Sequence, residues 1–116
     1  MRKRRLLVVD DDEAVLDYLA AKLGARYELI STTSSEEVVR LAHHERPDLI
    51  LCDIDMPGMD GGDVSAALFA DDATREIPML FLTGLVSGSR PLGGRYAIAK
   101  SAEIAELVAR IESLLR

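Results

Sequence analysis

The chain has 116 residues, enough for one ordinary domain with its own core and no need of a metal or disulfide staple to fold. A hydrophobic content of 48% beside 29% charged residues reads as a soluble globular domain, and the net charge of −6 argues against a binder of nucleic-acid backbone. The single cysteine, Cys52, excludes an internal disulfide and lies in an apolar run, so it is expected to be a buried, inert thiol. The basic start "MRKRR" is followed by only four apolar residues before the acids begin. That is too short for the hydrophobic region of a signal peptide, and no stretch approaches transmembrane length.

Apolar runs and helical patterns alternate along the chain. Leu6 to Val9 is a continuous apolar run, the pattern of a strand covered on both faces. "DEAVLDYLAAKLG" follows as a helix, with Val15, Leu19 and Leu23 spaced by four, Asp12 as its cap and Gly24 as its end. "YELIS" is a second strand. "SEEVVRLAHHER" is a second helix, opened by Ser34 or Ser35 with Glu37 in its first turn and closed before Pro47. His43 and His44 fall on its polar face and are expected to be solvated.

Asp48 to Cys52 is the third strand. "GGDVSAALFADD" is a weaker helix capped by Asp60 or Asp63, with Gly61 and Gly62 read as a turn. "IPMLFLT" is the fourth strand, with Pro78 near its start, where proline is tolerated. "RYAIAK" is the fifth. "SAEIAELVARIESLL" is the strongest helix, its stripe made of Ile104, Leu107, Val108, Ile111 and Leu115, with Ser101 as its expected cap. One beat is missing: "GLVSGSRPLGG", between the fourth and fifth strands, has too much glycine and proline for a clean helix. Strand and helix in alternation predict a parallel sheet with helices on both faces, one domain over residues 1–116.

Such sheets bind ligands at the carboxyl ends of their strands. Asp10 and Asp11 end the first strand, Asp53 the third, Thr83 the fourth and Lys100 the fifth, so the fold would gather them at one edge. Clustered carboxylates repel one another, and a hard divalent cation removes that cost. Magnesium prefers a few carboxylates, retained waters and a phosphate oxygen. A threonine hydroxyl and a lysine ammonium suit a phosphoryl group, and a carboxylate can itself take phosphate as an acyl phosphate. The chemistry points to phosphoryl transfer onto an aspartate.

These residues carry a resemblance over essentially the whole chain. "LLVVDDDE", "PDLILCDIDMPGMDG", "MLFLTG" and "AIAK", in that order, resemble the receiver domain of two-component response regulators. The resemblance implies a flavodoxin-like, doubly wound α/β fold with a five-stranded parallel sheet in the order 2-1-3-4-5 and a fourth helix shortened or missing. It implies Asp53 as phosphoacceptor, and Asp11 as a direct Mg2+ ligand with Asp10 helping through water. Asp53 itself and the backbone carbonyl of Asp55 complete the metal site, while Thr83 and Lys100 hold phosphoryl oxygens. Phosphate would come from a histidine kinase or a phosphotransfer protein, and the state would be relayed to a downstream protein or output domain. A cytoplasmic location, no direct nucleic-acid or membrane partner, and a homodimer as one possible assembly belong to the same expectation. The domain would be regulatory rather than an enzyme, with only self-catalysed phosphorylation and dephosphorylation.

Three places depart from the family pattern. Ser101 replaces the usual proline after the pocket lysine, so the bond between them is expected to be trans. Ala97 stands where the family has an aromatic residue, and Tyr96 is one residue early, on the other face of a strand. The third is the glycine-rich segment itself, read as a loop of low local stability that could serve as the responsive element. The serious alternative is a pseudo-receiver, an interaction module that never takes phosphate. A Toprim-type metal-dependent nucleic-acid enzyme shares the acidic spacing, but it calls for basic surface and gives Thr83 and Lys100 no role. A haloacid-dehalogenase-like phosphatase would place its nucleophile after the first strand.

Overall fold

A computed structural model describes residues 2–54, 56, 58, 60–83, 90–92, 95–100 and 102–115, with backbone only at 90–92, 95–97 and 99. The chain runs β1 (Arg5–Val9), α1 (Glu13–Leu23), β2 (Glu28–Thr32), a 3-10 turn (Ser35–Glu37), α2 (Val38–Glu45), β3 (Leu49–Asp53) and α3 (Gly61–Phe69). It continues through β4 (Met79–Thr83), β5 (Arg90–Leu92), β6 (Arg95–Ala99) and α4 (Ile104–Leu114). The sheet order is β2-β1-β3-β4-β6-β5. The first five of these strands are mutually parallel, while β5 runs antiparallel to β6 at the edge. The parallel strands keep the expected order, with β6 in the fifth place, but the sheet has six strands rather than the expected five because β5 adds an antiparallel edge.

Alternation along the buried strands builds two cores. Leu6, Val8, Leu49, Leu51, Leu80 and Leu82 face Leu19 and Leu23 of α1 and Leu107 and Ile111 of α4. Leu7, Val9, Ile50, Cys52, Met79 and Phe81 face Val38 and Ala42 of α2 and Val64 and Leu68 of α3. Each strand residue thus belongs to one layer or the other, as the period of two requires. Both faces being covered is why β1, β3 and β4 read as continuous apolar runs.

Several local expectations change in the folded chain. Ser34 and Ser35 do not open α2. They begin the 3-10 turn without a side-chain cap, and α2 starts at Val38. It ends at Arg46 in the left-handed region (φ 49°), consistent with the restriction that Pro47 places on the residue before it. Asp12 caps α1 by accepting from the Ala14 amide. Asp60 and Asp63 share the capping of α3 reciprocally, so Gly61 and Gly62 are its first residues rather than a turn. α4 begins at Ile104 with Glu103 before it, not from a Ser101 cap; Ser101, and with it the Lys100–Ser101 bond, lies outside the described residues.

His43 is exposed, as expected, but it has a partner. Its Nε2 pairs with Asp71 in the turn after α3, and that hydrogen bond, followed by one from the Ala73 amide, holds the Asp71 carboxyl below its usual pKa. Between β4 and β6 the described residues form the strand β5, where a loop was expected; residues 84–89 lie outside the description. The side chains of Tyr96 and Ala97, and with them the question of the aromatic position, also lie outside it. Among the described residues no helix is long and apolar enough to cross a membrane.

Candidate functional site

Three parallel strands end in the polar residues that the sequence singled out. Asp10 follows β1, Asp53 is the last residue of β3 and Thr83 the last of β4. All three are buried, at 0%, 2% and 4% exposure, while Asp11 is exposed at the mouth. Buried polar groups at strand ends in a sheet otherwise filled with aliphatic side chains call for a chemical reason. Lys100 lies just beyond β6, and its amide donates to the Thr83 carbonyl at 2.8 Å, which ties the two strand ends together.

The side chains converge. Carboxylate oxygens of Asp10, Asp11 and Asp53 lie within 4.8 Å of one another. The Lys100 ammonium is 3.0 Å from Asp10 Oδ2 and 3.4 Å from Asp53 Oδ2. Asp10 is held from both ends. Its amide donates to the Thr32 carbonyl at 3.2 Å, and its Oδ1 accepts from the Asp12 amide at 2.9 Å. Oδ2 has no aligned hydrogen bond among the described residues, so its contact with Lys100 is an ion pair. This buried oxygen, countered by the Lys100 ammonium and close to two more carboxylates, suits a hard divalent cation.

Electrostatics agree with that reading. Burial pushes the Lys100 ammonium down, but the Asp10 carboxylate and then Asp53 outweigh it, and its pKa stands above the ordinary 10.5. The lysine is therefore a fixed positive charge at neutral pH. Cys52, next to Asp53, is pushed up to about 12, first by burial and then by the charges of Asp53 and Asp10. It stays a thiol, faces the α2–α3 layer and takes no part in the chemistry.

Of the residues predicted from sequence, Asp10, Asp11, Asp53 and Lys100 meet in one cluster, and Thr83 sits buried at the adjoining strand end. Asp55, expected to offer its carbonyl to a metal, lies outside the described residues. Two supports were not anticipated. The Asp12 amide orients Asp10, a second task for a residue read only as a helix cap. Gly61, read as a turn, packs directly beneath the bend after Asp53. Only the spacing "DDD" hinted at the first, and the one signal for the second was that the family-like motif "PDLILCDIDMPGMDG" ends at Gly61 and leaves Gly62 out.

The fold and site together define a doubly wound α/β domain with an acid-lined pocket at the carboxyl ends of its strands. A family model for the response regulator receiver domain matches residues 6–112, and the chain belongs to that family. The response regulator PleD of Caulobacter vibrioides is 38% identical over 118 residues, covering 97% of this chain and 26% of PleD. The chain thus spans about a quarter of that relative's length. A response-regulator structure from Chloroflexus aurantiacus superposes with a TM-score of 0.83 at 31% identity, covering 98% of each chain. The receiver domain of a sensor histidine kinase from Pseudomonas aeruginosa shares the fold, with a TM-score of 0.84 at 23% identity and coverage of 97% and 98%. That protein has magnesium coordinated in its active-site cleft. Receiver domains are phosphoacceptor signalling domains, regulatory rather than enzymes in the ordinary sense, that act with histidine kinases and output domains.

Proposed function

We propose that this chain is a working phosphoacceptor, a single receiver domain over residues 1–116 in which Asp53 takes a phosphoryl group from the phosphohistidine of a histidine kinase or phosphotransfer protein. The observation that carries this is the convergence of the Lys100 ammonium on both Asp10 and Asp53, at 3.0 and 3.4 Å, inside a three-carboxylate cluster. A carboxylate oxygen of Asp53 attacks phosphorus; the new P–O bond forms as the P–N bond to the donor imidazole breaks. The electron pair returns to the imidazole, which leaves neutral once it is protonated. Asp10, Asp11 and Asp53, with the carbonyl of Asp55, would hold Mg2+. When bound, the ion supplies positive charge against the carboxylates and the phosphoryl oxygens.

The chain's own residues do the rest. Lys100 lies beside the Asp53 carboxylate and meets the negative charge that gathers on the transferring group. Thr83, at the end of the neighbouring strand, offers a hydroxyl to a phosphoryl oxygen. The Asp12 amide holds Asp10 so that Oδ2, not Oδ1, faces the pocket. Hydrolysis of the acyl phosphate at the same site, self-catalysed, returns Asp53 to a carboxylate. Relay to a downstream protein or output domain, a cytoplasmic setting and homodimerisation on modification belong to the same proposal. Because Lys100 lies against Asp53, the site is poorly explained as a Toprim-type nuclease centre, which has no use for that cation.

Incubation with acetyl phosphate and Mg2+, followed by intact-mass measurement, tests the proposal. The expected result is one added phosphoryl group, lost on Asp53→Asn and on chelation of the metal. Asp11→Ala should weaken Mg2+ binding in titration calorimetry by on the order of tenfold or more, since it removes one carboxylate from the set. No labelling of the folded wild-type chain would refute the proposal in favour of the pseudo-receiver reading. Full labelling of Asp53→Asn would move the acceptor elsewhere.

A further inference from the structure

The strand that carries Asp53 does not end freely. Ile54 follows it, and both polar groups of its backbone are engaged. Its amide donates to the Leu82 carbonyl at 3.1 Å, and its carbonyl accepts from the Gly61 amide at 3.1 Å. The first anchor is on β4 and the second is the first residue of α3, so Ile54, the residue after Asp53, is clamped on both sides between the sheet and a helix. Gly61 is itself buried. A Cβ built on it would lie 2.9 Å from Ile54 Cα, 3.0 Å from Phe81 Cε1 and 3.2 Å from Ile54 Cγ1. Real Cβ atoms essentially never approach backbone so closely. Gly62, one residue on, is exposed, and its Cβ would meet only Asp60 Oδ1, at 3.2 Å.

We propose that Gly61 is a positioning residue for phosphoryl transfer: its missing side chain lets α3 seat against Ile54 and so fixes the peptide that aims the Asp53 carboxylate at Lys100 and the metal site. The inference rests on the reading of Asp53 as acceptor. A methyl group at 61 must displace either Ile54 or the first turn of α3. The first choice moves the peptide next to Asp53. The second breaks the Gly61–Ile54 hydrogen bond and releases that peptide. Either way the nucleophile leaves its line with the cation beside it; the core that Val64, Leu68 and Phe81 share is pressed only at its Phe81 edge.

The test uses the whole chain and reads the initial rate of labelling by acetyl phosphate with Mg2+, per folded molecule, beside urea stability. Misplacement of a reacting group on the ångström scale costs on the order of tenfold to a hundredfold in rate. Gly61→Ala is expected to lose that much, and Gly62→Ala less than about twofold. Leu68→Ala, which destabilises the same helix away from the site, should keep the wild-type rate. The double variant Phe81→Leu/Gly61→Ala, compared with Phe81→Leu, separates folding from positioning and also serves if Gly61→Ala does not fold. Trimming the ring removes the Phe81 contact but leaves those to Ile54 Cα and Cγ1, so stability should partly return while labelling stays slow. A wild-type rate in Gly61→Ala, equal losses in Gly61→Ala and Leu68→Ala, or recovery of rate in the double variant would each overturn the proposal. Failure of the wild-type chain to label would instead sink the underlying reading of Asp53.

Discussion

Replacing Lys100 by methionine removes a cation in contact with two buried carboxylates while keeping most of the side chain's apolar stem. At an effective dielectric of about 20, each contact is worth at most about 5 kcal/mol. The Lys100 side chain is 30% exposed, so water screens much of that, whereas Asp10 and Asp53 have almost no access to water. Removing one partner of a fully buried pair costs about 3–5 kcal/mol, and the exposure of the lysine brings the expected loss to about 2 kcal/mol. With an m-value of about 1.5 kcal/mol/M, the urea midpoint in EDTA should fall by about 1–1.5 M. A bound divalent ion does the same electrostatic work as the ammonium. Mg2+ at about a hundred times its Kd stabilises a single-site protein by about 2.7 kcal/mol, and the gain should be larger in Lys100→Met than in wild type. The assay is therefore four urea curves, two proteins with and without Mg2+. A midpoint shift near zero in EDTA, or an equal shift with and without the ion, would refute the argument that Lys100 neutralises the pocket.

Other outcomes follow from structure outside the pocket. Tyr27 is buried and donates to Glu112, and its pKa is pushed up to about 12, first by burial and then by that carboxylate. The unfolded chain releases this proton near 10 while the folded chain keeps it, so the contribution is complete below the lower value and is lost as pH rises through the higher one. The loss amounts to about 2–3 kcal/mol. Urea midpoints of wild type and Tyr27→Phe should therefore converge with rising alkalinity; parallel curves would contradict the assignment. Thr74 is buried, and its hydroxyl donates to the Leu68 carbonyl at 2.6 Å, closing the end of α3. Thr74→Val should cost about 1–2 kcal/mol in urea unfolding without slowing labelling at Asp53, and a loss of labelling without destabilisation would contradict that purely structural role.

Much of this protein was legible in its sequence because the relevant signals are local and periodic. Short continuous apolar runs bounded by turn signals, such as Leu49 to Cys52, read as strands covered on both faces, and acids at the ends of two such strands predict a pocket once the sheet is parallel. The four-residue spacing of Leu19 and Leu23, and the Asp12 cap, identify α1 in the same way. What the sequence could not decide depends on partners far along the chain. His43 is solvated as its letter suggests, but its partner, Asp71, comes beside it only on folding. Residues 90–92 carry a proline and no alternating pattern, and they become a strand only because β6 offers them an open edge to pair with. Gly61 closes the family-like motif and Gly62 does not, but neither letter says what a side chain there would meet. Ile54, seven residues before Gly61, and Phe81, twenty after it, leave no space for a Cβ at the first and spare the second, and that packing exists only in three dimensions.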